Sequence, residues 1–228
     1  MVDARIPKSI GVIIDGNRRW AKERELSTLD GHTAGYEKLK EFMRWARDAG
    51  VQEVIVYAFS TENWNRAPEE VGTLTGLIRK VFKEGLKDLI QEGVHVRFIG
   101  QRERFPEDIQ TYMRETEEQT REGSTGTLAI ALSYGGRSDI LQAVNQIILE
   151  DIDTVTEELM NEKLWTAGLA EPDIIIRTGG EKRLSNFLTW QSVYSELFFV
   201  DTYWPAFTKE EFNDILAQYA ARERRRGR

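Results

Sequence analysis

The stretch Ile10-Gly-Val-Ile-Ile14, followed at once by Asp15-Gly-Asn-Arg-Arg-Trp20, decides the fold expected of this chain. The short apolar run predicts a strand that is buried on both faces. The residues after it predict that the strand ends in a carboxylate and that a helix begins there. A carboxylate beside the free N–H groups of a helix start can hold Mg²⁺ and a diphosphate together, but an aspartate N-cap fits the same pattern.

A second apolar run, Val54-Ile-Val-Tyr-Ala-Phe59, leads into the polar segment Ser60-Thr-Glu-Asn-Trp-Asn-Arg66. Two buried strands that end in polar loops are typical of an open α/β sheet, in which ligands bind beyond the carboxyl ends of the strands. Neutral hydrogen-bonding groups next to an arginine suit a ligand that carries phosphate. For Trp64 the alternative is an anchor in the core.

Apolar runs recur along the chain and alternate with segments of helical periodicity, so the sequence predicts an α/β fold. We expect a mostly parallel six-stranded sheet flanked by helices, within a single domain that spans residues 1–228. Thr154 with Glu157, and Thr208 with Glu211, match the capping box that starts a helix. The strands are predicted at residues 10–14, 54–59, 94–99, 127–133, 173–177 and 197–200.

Composition narrows the class of protein. The 228 residues carry a formal net charge of −7 and include no cysteine. An acidic surface does not favour nucleic acid, and the lack of cysteine excludes a disulfide framework and a thiolate nucleophile. No apolar run approaches the ~20 residues of a membrane-spanning helix, and none has the form of a signal peptide. We therefore expect a soluble, cytoplasmic protein.

Five motifs, taken in order, resemble the cis-prenyltransferases, whose bacterial type is undecaprenyl diphosphate synthase. The resemblance runs from about residue 10 to the Arg-rich end, so it covers nearly the whole chain. The motifs are Asp15-Gly-Asn17 with Arg19-Trp20, Gly31-His32, Tyr57-Ala-Phe-Ser-Thr-Glu-Asn-Trp64 with Arg66, Tyr134-Gly-Gly-Arg137, and Arg177-Thr-Gly-Gly-Glu181 with Arg183-Leu-Ser-Asn-Phe187.

The resemblance implies a Mg²⁺-dependent enzyme that condenses isopentenyl diphosphate with an allylic diphosphate, farnesyl or geranylgeranyl diphosphate, to give a Z-polyprenyl diphosphate of medium to long chain. It also implies a hydrophobic tunnel for the product. A homodimer is expected, in which the basic tail, residues 220–228, reaches the partner's diphosphate site. The resemblance also implies a peripheral contact with the membrane when the product is released.

The resemblance also assigns roles to individual residues. Asp15 and Asn63 are the catalytic candidates, and Asp15 with Glu196, the latter contributed by the same chain or by the partner, are the metal-side carboxylates. For Arg177, the alternative to a substrate contact is an ion pair with Glu181. The substrate-binding candidates are Gly16, Asn17, Arg18, Arg19, Trp20, His32, Ser60, Thr61, Glu62, Trp64, Arg66, Arg177, Arg183 and Ser185.

Three positions depart from the common pattern of the family. Arg18 stands where glycine is frequent, Thr28 where arginine is frequent, and Lys182 where histidine or glutamine is frequent. Thr28 and Arg18 put the choice of allylic primer in doubt. Lys182 makes metal binding at that position implausible, because a protonated amine cannot be a ligand.

Other functions remain open at this stage. The chain could be a catalytically silent partner subunit, although Asp15 and Asn63 are both present, or a short-chain Z-isoprenyl diphosphate synthase. A nucleotide-binding module is disfavoured because the glycine-rich signatures are missing. The apolar residues of the segment 68–92 fit a core helix, or a helix that lines the tunnel.

Overall fold

The computed structural model describes residues 6–84 and 90–222, so residues 223–228 of the predicted basic tail lie outside it. The strands are β1 (Ser9–Ile13), β2 (Glu53–Ser60), β3 (His95–Ile99), β4 (Thr127–Tyr134), β5 (Ile174–Arg177) and β6 (Glu196–Phe199). The α-helices within the described residues are α1 (Asn17–Lys22), α2 (Thr28–Asp48), α3 (Pro68–Glu84), α4 (Glu107–Thr120), α5 (Gly136–Leu149), α6 (Glu157–Lys163) and α7 (Lys209–Ala221).

The strands form one sheet in the order β3-β4-β2-β1-β5-β6. Every pair of neighbours is parallel, which confirms the predicted six-stranded α/β sheet. The chain first builds outwards from β1 to β2 and later returns to place β5 on the other side of β1. The connection therefore reverses direction beside β1, and a crevice opens beyond the carboxyl ends of β1 and β5 at such a point.

Both faces of the sheet are buried. Along β2, Val54 and Val56 belong to the larger apolar cluster, whereas Ile55 and Tyr57 belong to the cluster on the opposite face. The larger cluster includes residues of α2, α4 and α7, and a smaller one joins α5 to α6. Each fully buried aliphatic side chain stabilises the fold by about 1.5–3 kcal/mol, so the apolar runs of the strands supply much of the driving force.

The helix starts agree only in part with the predicted capping boxes. Thr208 and Glu211 form the predicted box at the start of α7. The prediction at Thr154 is wrong, because Thr156 is the residue that caps α6 and its side chain accepts the N–H of Leu159. Two threonines within three residues compete for this position, and Thr156 is the one that directly precedes the first helical turn.

Helix α3 is less completely packed than its wide apolar face suggests. Leu74 and Phe82 are buried, but the remaining apolar side chains of this face are only partly so. A Cβ atom added at Gly72 or Gly76 would meet nothing within 4 Å. The partly buried members are Val71, Leu77, Ile78 and Val81.

In the part of the chain that the structure describes, no helix is both long and apolar enough to cross a membrane.

Candidate active site

Asp15 follows β1 at the crevice, and its backbone is held from two sides. Its N–H donates to the Ile13 carbonyl at 2.9 Å and to Thr178 Oγ1 at 3.1 Å. Its carbonyl accepts the Thr178 hydroxyl at 2.7 Å and the Trp204 N–H at 3.0 Å. These bonds fix the residue against the segments that follow β5 and β6. The carboxylate is therefore presented at a defined point of the carboxyl edge.

The Asp15 carboxylate lies between two guanidinium groups. Oδ2 accepts from Arg177 Nη2 at 2.9 Å, and Oδ1 accepts from Arg19 Nη2 at 3.2 Å. The Arg177 side chain is only 5% exposed, whereas that of Asp15 is 31% exposed. A buried guanidinium needs a counter-charge, and Asp15 supplies it. The alternative ion pair of Arg177 with Glu181 is wrong, because Glu181 pairs with Arg183 instead.

Gly16 is required at the turn between Asp15 and α1. Its φ angle is +106°, a conformation that L side chains rarely adopt, and an added Cβ would come within 2.7 Å of the Tyr203 ring. The tight turn lets α1 begin at Asn17. The N–H groups of the first helical residues have no acceptor within a helix, so they are available at this edge.

Asn17 serves the contact between α1 and α2. It is 7% exposed, and its Nδ2 donates to the Ile14 carbonyl at 3.4 Å. A Cβ at Gly31 would lie 2.3 Å from the Asn17 carbonyl oxygen, and one at Gly35 would lie 2.4 Å from Asn17 Oδ1. The two glycines of α2 therefore allow the helices to approach closely. The Asn17 side chain is committed to packing, which leaves its backbone N–H as the candidate for a ligand.

Arg18 and Arg66 share one acidic partner that the sequence analysis missed. Glu70 Oε1 accepts from Arg18 Nη1 and from Arg66 Nη1, each at 2.8 Å. The bridge joins the start of α1 to the first turn of α3. The signal in the sequence was the four-residue spacing of Arg66 and Glu70, which suits an ion pair on one helical turn.

His32 lies near this bridge and is neutral at pH 7. Burial lowers the pKa of His32 to about 4, and the positive charge of Arg66 adds to the effect, while Glu70 opposes it in part. Its Nε2 atom is buried without a hydrogen-bond partner. A neutral imidazole beside two guanidinium groups can accept or donate one hydrogen bond at a phosphate without adding charge.

The segment after β2 is a short 3₁₀ turn, Thr61–Asn65, closed by its own side chains. Asn63 Oδ1 accepts the Ser60 N–H at 3.0 Å, and the Ser60 side chain accepts the Asn63 N–H in return. Thr61 lies against Gly135, where an added Cβ would come within 2.7 Å of Thr61 Oγ1. The position of Asn63 is thus fixed by a local capping box.

Trp64 packs as a core anchor, as the alternative interpretation had it. Its indole N–H donates to Ser133 Oγ at 2.8 Å. The ring lies edge-on to Phe59 at 4.9 Å and tilted against Phe105 at 5.1 Å. Trp20, by contrast, is partly buried, and the Arg24 guanidinium lies 4.5 Å from its ring.

The segment after β5 brings Arg177, Arg183 and Ser185 together. Arg177 Nη1 donates to Ser185 Oγ at 2.8 Å and also to the Arg183 carbonyl. The Tyr57 hydroxyl donates to the Ser185 carbonyl at 3.3 Å. Ser185 and Asn186 have φ angles of +50° and +66°. Left-handed conformations at non-glycine residues concentrate at functional sites.

Glu196 lies away from Asp15 within the chain. It is the first residue of β6 and pairs with Ile174 at the start of β5, whereas Arg177 ends β5 beside Asp15. Three residues of a strand span about 10 Å. The Glu196 carboxylate accepts from Arg222 Nη1 at 2.9 Å. Among the described residues, no group of three or more His, Cys, Asp or Glu side chains is placed to hold a metal ion.

Comparison with known proteins identifies the family. Residues 13–227 match the family model described as "Putative undecaprenyl diphosphate synthase". This chain belongs to the undecaprenyl diphosphate synthase family. Its members are cis-prenyltransferases, so the chain is an enzyme of the class that transfers prenyl groups, as the motifs predicted.

Relatives with assigned activities cover almost all of the chain. An isoprenyl transferase of Agrobacterium fabrum is 42% identical over 97% of this chain and 92% of its own length. A tritrans,polycis-undecaprenyl-diphosphate synthase (geranylgeranyl-diphosphate specific) of Pyrococcus abyssi is 44% identical over 98% of this chain and 88% of its own length. The crystal structure of lavandulyl diphosphate synthase from Lavandula x intermedia in complex with dimethylallyl diphosphate superposes with a TM-score of 0.92, at 31% identity, over 97% of this chain and 98% of that chain.

Proposed function

We propose that this cis-prenyltransferase condenses isopentenyl diphosphate with an allylic diphosphate, in the presence of Mg²⁺, and makes a Z-polyprenyl diphosphate of medium to long chain. The observation that carries the proposal is the position of Arg177. One guanidinium contacts Asp15 on one side and Ser185 on the other. Two diphosphates bound at these two places would lie side by side, as a condensation requires.

The first place suits the allylic diphosphate. The start of α1 after Gly16 offers backbone N–H groups, and Arg19 and Arg66 can add charge-assisted bonds. Arg18 and Arg66 must exchange Glu70 for phosphate, which the diphosphate can bring about because it carries more negative charge. The neutral His32 can complete the set. These groups stabilise the charge that builds up on the leaving diphosphate.

The second place suits isopentenyl diphosphate. Arg177 is fixed by its buried contacts, Ser185 offers a hydroxyl, and the Arg183 side chain is 58% exposed. A buried guanidinium, a hydroxyl and an exposed guanidinium within nine residues of the chain can together bind a diphosphate. We therefore assign the homoallylic substrate to this loop.

Mg²⁺ fits the site through Asp15. A carboxylate that is 31% exposed at the crevice is a hard oxygen ligand, and Mg²⁺ commonly takes one carboxylate together with phosphate oxygens and water. The ion, when bound, would screen the diphosphate charge and polarise the leaving group. Asp15 would then loosen its contacts with Arg19 and Arg177, which frees both guanidinium groups for phosphate. Glu196 would join only from a partner subunit.

Asn63 suits an orienting role. An amide is a poor base, and its carbonyl oxygen already accepts the Ser60 N–H. Its amide group can instead orient the released pyrophosphate, or a water molecule that takes up the proton. The capping box that holds Asn63 would keep this group in place during the reaction.

The growing hydrocarbon would lie between α3 and the sheet. Support comes from the apolar face of α3, of which several side chains are only partly buried. Ala58 is exposed at an irregularity of β2, between the buried Tyr57 and Phe59. A small side chain at this point would leave room for a long product.

A homodimer is supported by the edge of the sheet. Val193, Tyr194 and Leu197 are 71%, 63% and 39% exposed beside the edge strand β6, and an exposed apolar patch at a sheet edge favours association. A partner covering this edge would lie close to Glu196. We propose that the dimer works in the cytoplasm, with a peripheral membrane contact when the product leaves.

One assay tests the proposal. Labelled isopentenyl diphosphate is supplied with dimethylallyl, geranyl, farnesyl or geranylgeranyl diphosphate, and the products are resolved by chain length. We expect products well beyond fifteen carbons with farnesyl or geranylgeranyl diphosphate, and none after removal of Mg²⁺ with EDTA. A single condensation would support the short-chain synthase instead. Full activity in EDTA would refute the metal requirement.

A further inference from the structure

We propose that Asn186 is a positioning residue for isopentenyl diphosphate, because it fastens the loop that carries Ser185 to the loop that carries Asn63. The inference rests on the proposed function and adds a residue outside the substrate-binding set predicted from the sequence. Three segments are involved at the carboxyl edge: the β2 loop (residues 60–66, which starts at the last residue of β2), the β4 loop (residues 135–137, which includes the first two residues of α5) and the β5 loop (residues 178–188).

Asn186 uses both ends of its amide to join the other two loops. Nδ2 donates to Glu62 Oε1 of the β2 loop at 3.0 Å. Oδ1 accepts the Arg137 N–H of the β4 loop at 2.9 Å. The Asn186 carbonyl also accepts the Gly136 N–H at 2.7 Å. Asn186 therefore links the segments that follow three different strands, in addition to the Tyr57 hydroxyl bond to the Ser185 carbonyl.

The neighbouring glycine shows how closely the loops approach here. A Cβ atom at Gly135 would come within 2.5 Å of Asn186 Nδ2 and within 2.7 Å of Thr61 Oγ1. The crossing of the three loops thus depends on a position without a side chain. Such close packing transmits a displacement of the β2 loop directly to the β5 loop.

The backbone of the β5 loop adopts left-handed conformations that are unfavourable for residues other than glycine. The φ angles of Ser185 and Asn186 are +50° and +66°, and that of Leu188 is +44°. Such residues persist only where the surroundings hold them, and asparagine tolerates the conformation better than most. The bonds of Asn186 hold this segment, and through it they keep Ser185 Oγ against Arg177.

This arrangement has a consequence for the two substrates. The β5 loop carries the groups assigned to isopentenyl diphosphate, and the β2 loop carries Asn63, assigned to the departing pyrophosphate. The Asn186–Glu62 bond is a direct side-chain link between them. Breaking it should displace the Ser185 segment and weaken the binding of isopentenyl diphosphate more than that of the allylic substrate.

The test is a change of one atom. Asn186→Asp keeps the size, the tolerance of positive φ and the acceptor for Arg137, but it sets a carboxylate against Glu62. We expect the KM for isopentenyl diphosphate to rise about tenfold, the usual loss for a hydrogen bond to a charged group, with a much smaller rise in the KM for the allylic diphosphate. The matched control is Asn213→Asp on the exposed face of α7, which should leave both constants unchanged.

A rescue experiment distinguishes loss of the Asn186–Glu62 hydrogen bond from a general disturbance of the structure. In the double variant Asn186→Asp/Glu62→Gln, the glutamine amide can donate to the new carboxylate, so the bond returns with reversed polarity. Because Glu62 is itself a substrate-binding candidate, the single variant Glu62→Gln is the reference. The KM of the double variant for isopentenyl diphosphate should lie within about threefold of that reference, a partial restoration of one hydrogen bond. A double variant as impaired as Asn186→Asp, or wild-type constants in Asn186→Asp itself, would overturn the proposal.

Two further measurements keep the test decisive. If Asn186→Asp does not fold, Asn186→Gly keeps the backbone conformation and removes both side-chain bonds, and wild-type kinetics in that variant would equally overturn the proposal. Calorimetric titration of the wild-type protein with isopentenyl diphosphate is carried out first. No binding and no turnover in the wild type refutes the proposed function and the inference with it, whereas wild-type binding with unaffected variants refutes the inference alone.

Discussion

Arg177 Nη2 donates to Asp15 Oδ2 at 2.9 Å, and this contact joins the carboxyl ends of the adjacent strands β1 and β5. Asp15 stands in the place proposed for the allylic diphosphate, and Arg177 in the place proposed for isopentenyl diphosphate. In the free protein the two groups neutralise each other. Binding of two diphosphates and a metal ion would give each a new partner of opposite charge.

Removal of the Asp15 carboxylate should affect catalysis far more than the fold. We expect Asp15→Ala to lower turnover by ~10²–10³, the usual loss for a preorganised electrostatic group. The free energy of unfolding should fall by about 1–3 kcal/mol, because the buried Arg177 loses a charged hydrogen bond. Circular dichroism, chemical unfolding and a Mg²⁺-dependent assay provide the measurements. Asp15→Asn is the control of equal size, and near-wild-type turnover in Asp15→Ala would contradict the metal role.

His32 should make stability depend on pH in a defined window. Its pKa is lowered from 6.5 to about 4 in the folded protein. Between these values the unfolded chain binds a proton that the folded chain does not, so the contribution to stability is complete above pH 6.5 and is lost as the pH falls towards 4. The loss amounts to about 3 kcal/mol. Unfolding by denaturant at several pH values should show a shallower dependence for His32→Gln; equal slopes would show that His32 titrates normally.

The basic tail should contribute to substrate binding through the partner subunit. We expect removal of residues 222–228 to raise the KM for isopentenyl diphosphate with little effect on solubility. A second truncation that ends at Arg222 keeps the ion pair of Arg222 with Glu196 at 2.9 Å. Comparison of the two truncations separates the loss of this ion pair from the loss of residues 223–228. That pair is nearly half exposed on the arginine side and should stabilise the protein by less than about 1 kcal/mol. Unchanged kinetics in both truncations, or an active monomer in sedimentation, would refute the cross-subunit role.

Ala58 should limit product length once its side chain is enlarged. It is exposed at the irregularity of β2, so we expect Ala58→Leu to shorten the products without slowing the first condensation. The control is Ala217→Leu on the exposed surface of α7, which should leave the product distribution unchanged. Product analysis by chain length decides between these outcomes. A variant that slows initiation but still makes full-length product would place Ala58 outside the tunnel.

Two glycines should respond in opposite ways to the addition of one methyl group. Gly16→Ala meets both a φ of +106° and the Tyr203 ring, so we expect a loss of about 1–3 kcal/mol in stability and weaker binding of the allylic diphosphate. Gly72→Ala lies within α3 with no neighbour within 4 Å, and should stabilise the protein by about 0.5–1 kcal/mol. Thermal unfolding measures both. A neutral Gly16→Ala would show that the turn can relax.

The pattern of the sequence was sufficient for the elements of the fold. The six predicted strands occur within one or two residues of the expected positions, because runs such as 173–177 are apolar enough to be buried on both faces. The capping box of Thr208 and Glu211 is a local device, so it too was readable. Local signals failed only where two candidates compete, as at Thr154 and Thr156.

Side-chain partnerships at the site could not be predicted in this way. Glu70 bridges Arg18 and Arg66, and the four-residue spacing reveals only one of these two contacts. Asn186 belongs to a quoted motif, but nothing in the motif indicates that it binds Glu62, which is 124 residues away. Such pairs are formed by the crossing of loops, whose relative positions depend on the order of the strands.

The sequence by itself determined the family and the strands and helices, and it predicted candidate residues for phosphate binding, because motif identity and apolar periodicity are properties of neighbouring residues. Only the tertiary structure decided which of those residues meet. It placed Asp15 beside Arg177 because β1 and β5 are neighbours in register, and it placed Glu196 at the opposite end of the same sheet. The physical reason is that strand order and register are set by packing between segments far apart in the chain, where no local pattern records the partner.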